Sequence, residues 1–415
     1  MSPHSAGSRG PAALALAAAL FAVACASPAS NNQGGAGGDN GGMGGATGGG
    51  GDTMGLKLAT GGPYPFPQHR VPGSCTLTSA GNADGSAQAA YNTWKASYVT
   101  ATGAGGFLRV QRTQNQNDTV SEGIGYGMIA AAYMNDRATF DGLWQYGKLH
   151  FNAKGLMSWH LMSSGQPLDM GSASDGDSDM IWGLIMASDQ WSSTDYLDAA
   201  RNMIKAMRQN SIGPDGTLKP GDTWGGTSLT NPSYFSPAYF RVFAVVSGDA
   251  NWSSAILDKN YTILSKITGT NGLVPDWTNN SGVVNMTLTE SGSTFNNSSY
   301  GYDAARMPWR ITMDWCFNGE TRARDYLMKI GAFFNNVGAT NIGDGYALTG
   351  SQTSGNKNMA FIGPAGVSGM AGYQTLLDGA FNYGAGGGGD QSYYPSSLRM
   401  ITMLMMSGNF VDFTK

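Results

Sequence analysis

Between residues 84 and 406 the chain carries one stretch after another of helical length, with apolar side chains at helical spacing. Several of these stretches are apolar almost all the way round. A helix with one apolar face can lie on a surface, whereas a helix apolar on every side must be enclosed by protein. That requirement restricts the chain to architectures with a layer of buried inner helices. Ala90, Trp94 and Tyr98 recur every four residues and mark the first helix. VSEGIGYGM (residues 120–128) continues as a helix through Ile124, Met128, Ile129 and Ala132. NDRATFDGLWQYGKLH follows it, with Phe140, Leu143, Trp144 and Gly147 on one face. SASDGDSDMIWGLIMAS aligns Ile181, Leu184, Ile185 and Ser188, and YLDAARNMIKAM aligns Leu197, Ala200, Ile204 and Met207. Residues 231–246 pair with 252–267, and a helix opened by Pro308 pairs with 321–334. Residues 371–381 and 393–406 are the last candidates, with the glycine-rich loop 384–389 between them. GLMSWHL (155–161) is too short and broken for a long helix. The polar segment 276–299 reads as a long loop or short hairpin. That makes eleven or twelve helices and little that alternates as a strand. No sequence signature repeats at a fixed period, which argues against a solenoid. The pattern predicts an all-α fold: a closed ring of helical hairpins whose inner helices are buried on both sides.

The N-terminus is of another kind. Arg9 precedes an uncharged apolar run, residues 11–24, that ends in AVACAS. This reads as a secretory signal peptide over residues 1–26, too short for a comfortable membrane span. Cleavage before Cys25 would leave a cysteine for lipid attachment, and cleavage just after it would give ordinary secretion. Ala22, where lipoprotein signals usually carry a larger aliphatic residue, weighs against lipid. Residues 27–62 are a Gly-, Asn- and Ala-rich tract with almost nothing to bury, expected to be a flexible tether. Residues 63–415 remain as a single folded domain. The expectation is a secreted, extracellular monomer, with a surface lipoprotein anchored at Cys25 as the variant.

Charged residues make up 13% of the chain, aromatic residues 11%, and the net charge is −4, so nothing points to nucleic acid. Cys75 and Cys316 can pair in an oxidising compartment, and two buried thiols fit the sequence equally well. The four histidines show no metal-ligand spacing, and no cofactor or metal is expected. His160, beside Trp159, reads as structural or cleft-lining. No G-x-S-x-G elbow is present, and GIGYG follows no clear strand. The Asp-x-Asp-x-Asp run at Asp175, Asp177 and Asp179 fails as a calcium loop, because Met180 and Met186 stand where Gly and Glu are required.

Three acidic clusters share a placement. Ser121 reads as an N-cap, with Glu122 in the first turn and Gly123, Gly125 and Gly127 leaving the helix mouth uncovered beside Tyr126. Asp175, Asp177 and Asp179 open a helix near Ser174, with Asp179 expected to cap it. Asp303 lies just before the helix that Pro308 starts. In a ring whose inner helices run the same way, all three clusters gather at one end. Paired carboxylates flanking a bond are what glycoside hydrolysis requires.

These motifs together resemble glycoside hydrolase family 8. VSEGIGYGM, NDRATFDGLWQY, GLMSW, ASDGDSDM with LIMAS and Trp191, NPSYFSPAYF, YGYDAARMPWR and SYYPSSL carry the likeness, over about residues 84–398. Ile181 departs from the signature, which usually has Ala there. The resemblance implies an (α/α)6 barrel of six hairpins and hydrolysis with inversion. It implies Glu122 as general acid, Asp303 as general base and Asp175 as the aspartate of the central sugar subsite, with Asp177 as the other holder of that role. Tyr302 and Arg306 would orient the base or its water, and Trp159, Trp224, Tyr234 and Tyr239 would contact sugar. Tyr239 and the other aromatics also suit the core. GLMSW, ASDGD and YDAAR look most like the endoglucanase branch. The implied activity is an endo-β-1,4-glucanase acting on cellulose or a related β-linked polysaccharide. A xylanase, a β-1,3-1,4-glucanase and a non-catalytic glucan-binding surface protein are the alternatives.

Overall fold

The computed structural model describes residues 62–70 and 73–415. The expected signal peptide, Cys25 and the glycine-rich tract up to residue 61 lie outside the described residues. Among those described, the periodic stretches form twelve α-helices. They are α1 (Ala83–Tyr98), α2 (Ser121–Tyr133), α3 (Arg137–Leu149), α4 (Ser174–Gln190), α5 (Thr194–Asn210) and α6 (Pro237–Ser247). The second half supplies α7 (Ala255–Ile267), α8 (Met307–Asn318), α9 (Thr321–Val337), α10 (Met359–Ser368), α11 (Gln374–Ala385) and α12 (Tyr393–Met406).

The even-numbered helices close a ring. α2 packs on α4, α6 on α8, α8 on α10, α10 on α12 and α12 back on α2, while α4 meets the short 3-10 turn Pro232–Tyr234 that leads into α6. Behind them lie α3, α5, α7, α9 and α11 in order, and α1 backs α12. The molecule is an (α/α)6 barrel. Sequence explains the division: every residue of α4 and of α10 is buried. In α5, by contrast, only one face is, including Leu197, Ala200, Ile204 and Met207. Strand content among the described residues is limited to two- and three-residue pieces.

One inner helix was not expected. α10 (MAFIGPAGVS) holds Pro364 and two glycines, a composition that reads as a turn. Packing against α8, α11 and α12 outweighs that propensity, as tertiary burial commonly does. Two boundaries also differ: α6 begins at Pro237, and Pro308 is the second residue of α8. The segment 276–299 includes a short hairpin, Leu288–Glu290 with Ser293–Phe295, one of the two forms expected of it.

The end of the barrel where α2 and α8 finish is plugged. Tyr64 stacks on Phe413 at 4.4 Å, the Tyr133 hydroxyl donates to the Val411 carbonyl (2.7 Å), and Lys415 Nζ reaches the Phe317 carbonyl (2.6 Å). Cys75 and Cys316 form a disulfide across 241 residues, which restricts the unfolded chain and stabilises the fold by about 2–5 kcal/mol. The opposite end holds the N-termini of all six inner helices.

Candidate active site

Short strands set where the inner helices start. Val120 pairs with His160, and the Ser121 amide donates to the Trp159 carbonyl (2.9 Å). Val120 therefore occupies the cap position; Ser121 is already inside the helix and does not cap it. Glu122 is the second residue of α2. Asp175 is the second residue of α4, and Ala173, not Asp179, stands at its cap. Asp179 lies a turn deeper and pairs with Arg310 (Nη2 to Oδ2, 2.7 Å), both side chains fully buried. Asp303 follows the strand Ser299–Tyr300 and precedes the 3-10 turn Ala304–Arg306.

One guanidinium joins the three clusters. Arg306 Nη1 donates to Glu122 Oε2 (2.8 Å) and to Asp175 Oδ2 (2.7 Å), and Nη2 donates to Asp303 Oδ1 (2.7 Å). The Arg306 side chain is 3% exposed and Asp175 4%, whereas Glu122 is 16% and Asp303 33% exposed. Arg306 and Asp175 thus form the floor, and the other two carboxylates face the opening. Tyr393, first residue of α12, donates its hydroxyl to Glu122 Oε1 (3.1 Å). The Trp277 indole N–H donates to Asp303 Oδ2 (3.0 Å). The Tyr234 and Tyr394 rings lie 5.2 and 6.0 Å from the guanidinium carbon. The glycines of α2 do not leave an open mouth as expected. A Cβ on Gly123 would stand 2.7 Å from the Tyr393 hydroxyl, and one on Gly125 would stand 2.6 Å from Asp179 Cβ. They admit Tyr393 to Glu122 and bring α2 close against α4.

Three carboxylates on one cation, with little water, cannot all ionise freely. Burial pushes the Glu122 carboxyl up to about 7, aided by the charge of Asp175 and opposed by Arg306, the Tyr393 hydrogen bond and Arg112. Asp303 is also raised by burial, against Arg306, Asn231 and Trp277. Asp276, beneath it, is raised to about 7 by burial and then by the Asp303 charge. Burial thus raises all three of these carboxyls, and the Arg306 guanidinium opposes the rise at Glu122 and Asp303.

The remaining expected residues divide. Trp159 is half-buried next to Ser121 and packs on His160 at 4.8 Å. His160 itself bonds Asp118 (2.7 Å), which also takes Arg112 (Nε, 2.8 Å). Trp224 joins a cluster with Trp277 (5.7 Å) and Phe295 (6.3 Å), and Tyr234 meets Trp277 at 6.3 Å. Tyr239 is no sugar contact: it is fully buried in α6, stacked on Trp182 at 4.4 Å. Asp177 is corrected too. Its side chain is fully buried near Ser172 and Asp222, takes no bond from Arg306, and is held well above the usual carboxylate range by burial. Tyr302 does not orient the base; its hydroxyl donates to Asp344 (2.7 Å) and accepts from Asn358 (3.3 Å). Sequence reasoning missed Asp276, Trp277, Tyr393 and Tyr394. The last two lie within SYYPSSL, a block of the family likeness whose sequence alone assigns them no role.

A helical ring with this hub has known counterparts. The chain matches the description glycosyl hydrolases family 8 over residues 65–408. It belongs to glycoside hydrolase family 8. Endoglucanase A of Acetivibrio thermocellus is 39% identical over 347 residues, covering 78% of this chain and 69% of that protein. The β-glucanase of Niallia circulans is 33% identical, covering 83% and 91%. The apo structure of a β-1,3-1,4-glucanase from Paenibacillus sp. X4 superposes with a TM-score of 0.78 at 32% identity, covering 84% of this chain and 99% of that one. The chain is thus a glycoside hydrolase, with Glu122, Asp175, Asp303 and Arg306 gathered at one end of its barrel.

Proposed function

We propose that the protein is an inverting endo-β-1,4-glucanase. The observation that carries the reading is the Arg306 hub, with Glu122 and Asp303 on different terminal nitrogens of one guanidinium. Glu122, held protonated up to about pH 7, donates its proton to the glycosidic oxygen as the C1–O bond breaks. Asp303 accepts a proton from the water that attacks C1 from the opposite face. Asp175, between them on the floor, binds the sugar undergoing reaction and keeps the acid's pKa high. Trp159, Trp224, Trp277 and Tyr234 offer ring faces to the C–H faces of β-linked glucose. The names of the related proteins support glucan as substrate, and the Paenibacillus structure keeps β-1,3-1,4-glucan as a second reading. Reducing-sugar release and viscosity should be followed on carboxymethyl cellulose, lichenan, xylan and chitosan. The reading expects the first two to be cut fastest, with viscosity falling before much sugar appears. Preference for xylan or chitosan would overturn it.

Asp175→Asn tests the electrostatics. Asp175 raises the Glu122 pKa, so removing its charge lowers that pKa. The acid then loses its proton at lower pH, and the alkaline limb of kcat/KM moves down from about pH 7. An unmoved limb would separate Asp175 from the acid.

A further inference from the structure

Asp276 and Trp277 are neighbours in sequence and hold Asp303 from two sides. Asp276 Oδ1 accepts from the amides of Gly301 (2.9 Å) and Ala304 (2.8 Å), the residues that bracket Tyr302 and Asp303. Asp276 Oδ2 accepts from Asn296 Nδ2 (2.6 Å). Asn296 is itself fixed, because its Oδ1 accepts from the amides of Ser298 and Ser299 (3.2 Å each). Its carbonyl takes the Trp277 amide (2.9 Å), and the Trp277 indole bonds Asp303 Oδ2 (3.0 Å). The backbone of the base-bearing turn and the base's own carboxylate are therefore tied to one anchor. Asp276 is buried and lies beneath the opening, so it meets no substrate.

We infer that Asp276 is a positioning residue for the general base, pinning the Gly301–Ala304 turn so that the Asp303 carboxylate faces the water's site. The inference rests on the reading of Asp303 as base. A displacement of about 1 Å in a catalytic group costs roughly 100-fold in rate, so Asp276→Ala should lower kcat about 100-fold while KM stays within about threefold. Asp276→Asn should fall between, since its amide nitrogen would face the Asn296 nitrogen. The swap Asp276→Asn with Asn296→Asp restores the bond between the two side chains with its donor reversed and keeps the acceptors for the Gly301, Ala304, Ser298 and Ser299 amides, losing only the Asn296 Nδ2 bond to the Ser299 carbonyl (3.2 Å). It should return kcat to within about tenfold of the parent.

The four proteins, including Asp303→Asn, are to be compared on one β-glucan with circular dichroism as a check of fold. Unchanged kcat in Asp276→Ala, a loss confined to KM, or a folded swap no better than Asp276→Asn would each overturn the positioning role. Those results, with Asp303→Asn inactive, leave the base assignment standing. An active Asp303→Asn would remove the base assignment and the positioning role with it. If Asp276→Ala does not fold, the comparison of Asp276→Asn with the swap decides.

Discussion

Glu122→Gln is expected to lower kcat on unactivated β-glucan by about three to four orders of magnitude, with the fold unchanged. Glutamine keeps the shape; its oxygen can still accept from Arg306 while its amide N–H donates to the Tyr393 hydroxyl oxygen, so the loss reports chiefly the missing proton. The sign of the pKa shift decides whether Glu122 can serve. A helix N-terminus stabilises a carboxylate and by itself lowers the pKa. Here burial is the larger effect, and the Asp175 charge adds to it, so the group stays protonated up to about pH 7 despite Arg306. Activity should therefore fall as pH rises through about 7, and that alkaline limb should vanish in the variant. An aryl glucoside whose leaving group needs no proton should be affected much less. Near-normal turnover of unactivated glucan by the variant would remove Glu122 from the role of acid.

The barrel was legible because its cause is written locally: helices apolar all round alternate with helices apolar on one face. α10 was not, because Pro364 and its glycines argue for a turn and only its neighbours argue for a helix. The same division holds at the site. Glu122, Asp175 and Asp303 could be placed together from their positions at helix starts. Their convergence on one arginine could not, since it depends on α2, α4 and α8 meeting across the ring. Tyr239 misled because an aromatic in NPSYFSPAYF looks the same whether it lies against Arg306, as Tyr234 does, or packs against Trp182. Asp177 misled through its spacing. Two residues along a helix turn a side chain far from the first, so Asp175 and Asp177 cannot both face the hub. Asp276 and Trp277 sit in a loop with no periodicity, and only the folded loop shows what they hold.

Hydrolysis should release the α-anomer first, and Asp303 should be the reason. An inverting enzyme keeps its carboxyl groups about 6.5–9.5 Å apart to admit water, against about 5–5.5 Å for a nucleophile. Arg306 holds Glu122 on one terminal nitrogen and Asp303 on the other, and the likeness to family 8 is what favours inversion. The base must be ionised, and burial raises its pKa, so activity should fall at acid pH as Asp303 takes up a proton. Asp303→Ala should lose about three to four orders of magnitude in kcat and lose that acid limb. Azide needs no deprotonation and fits the vacated space. It should attack C1 as Glu122 protonates the leaving oxygen, restoring part of the rate and forming an α-configured glucosyl azide. Proton NMR of early hydrolysis and of the azide product reads both outcomes. If the β-anomer or a β-azide forms first, Asp303 acts as a nucleophile, or another carboxylate holds its place.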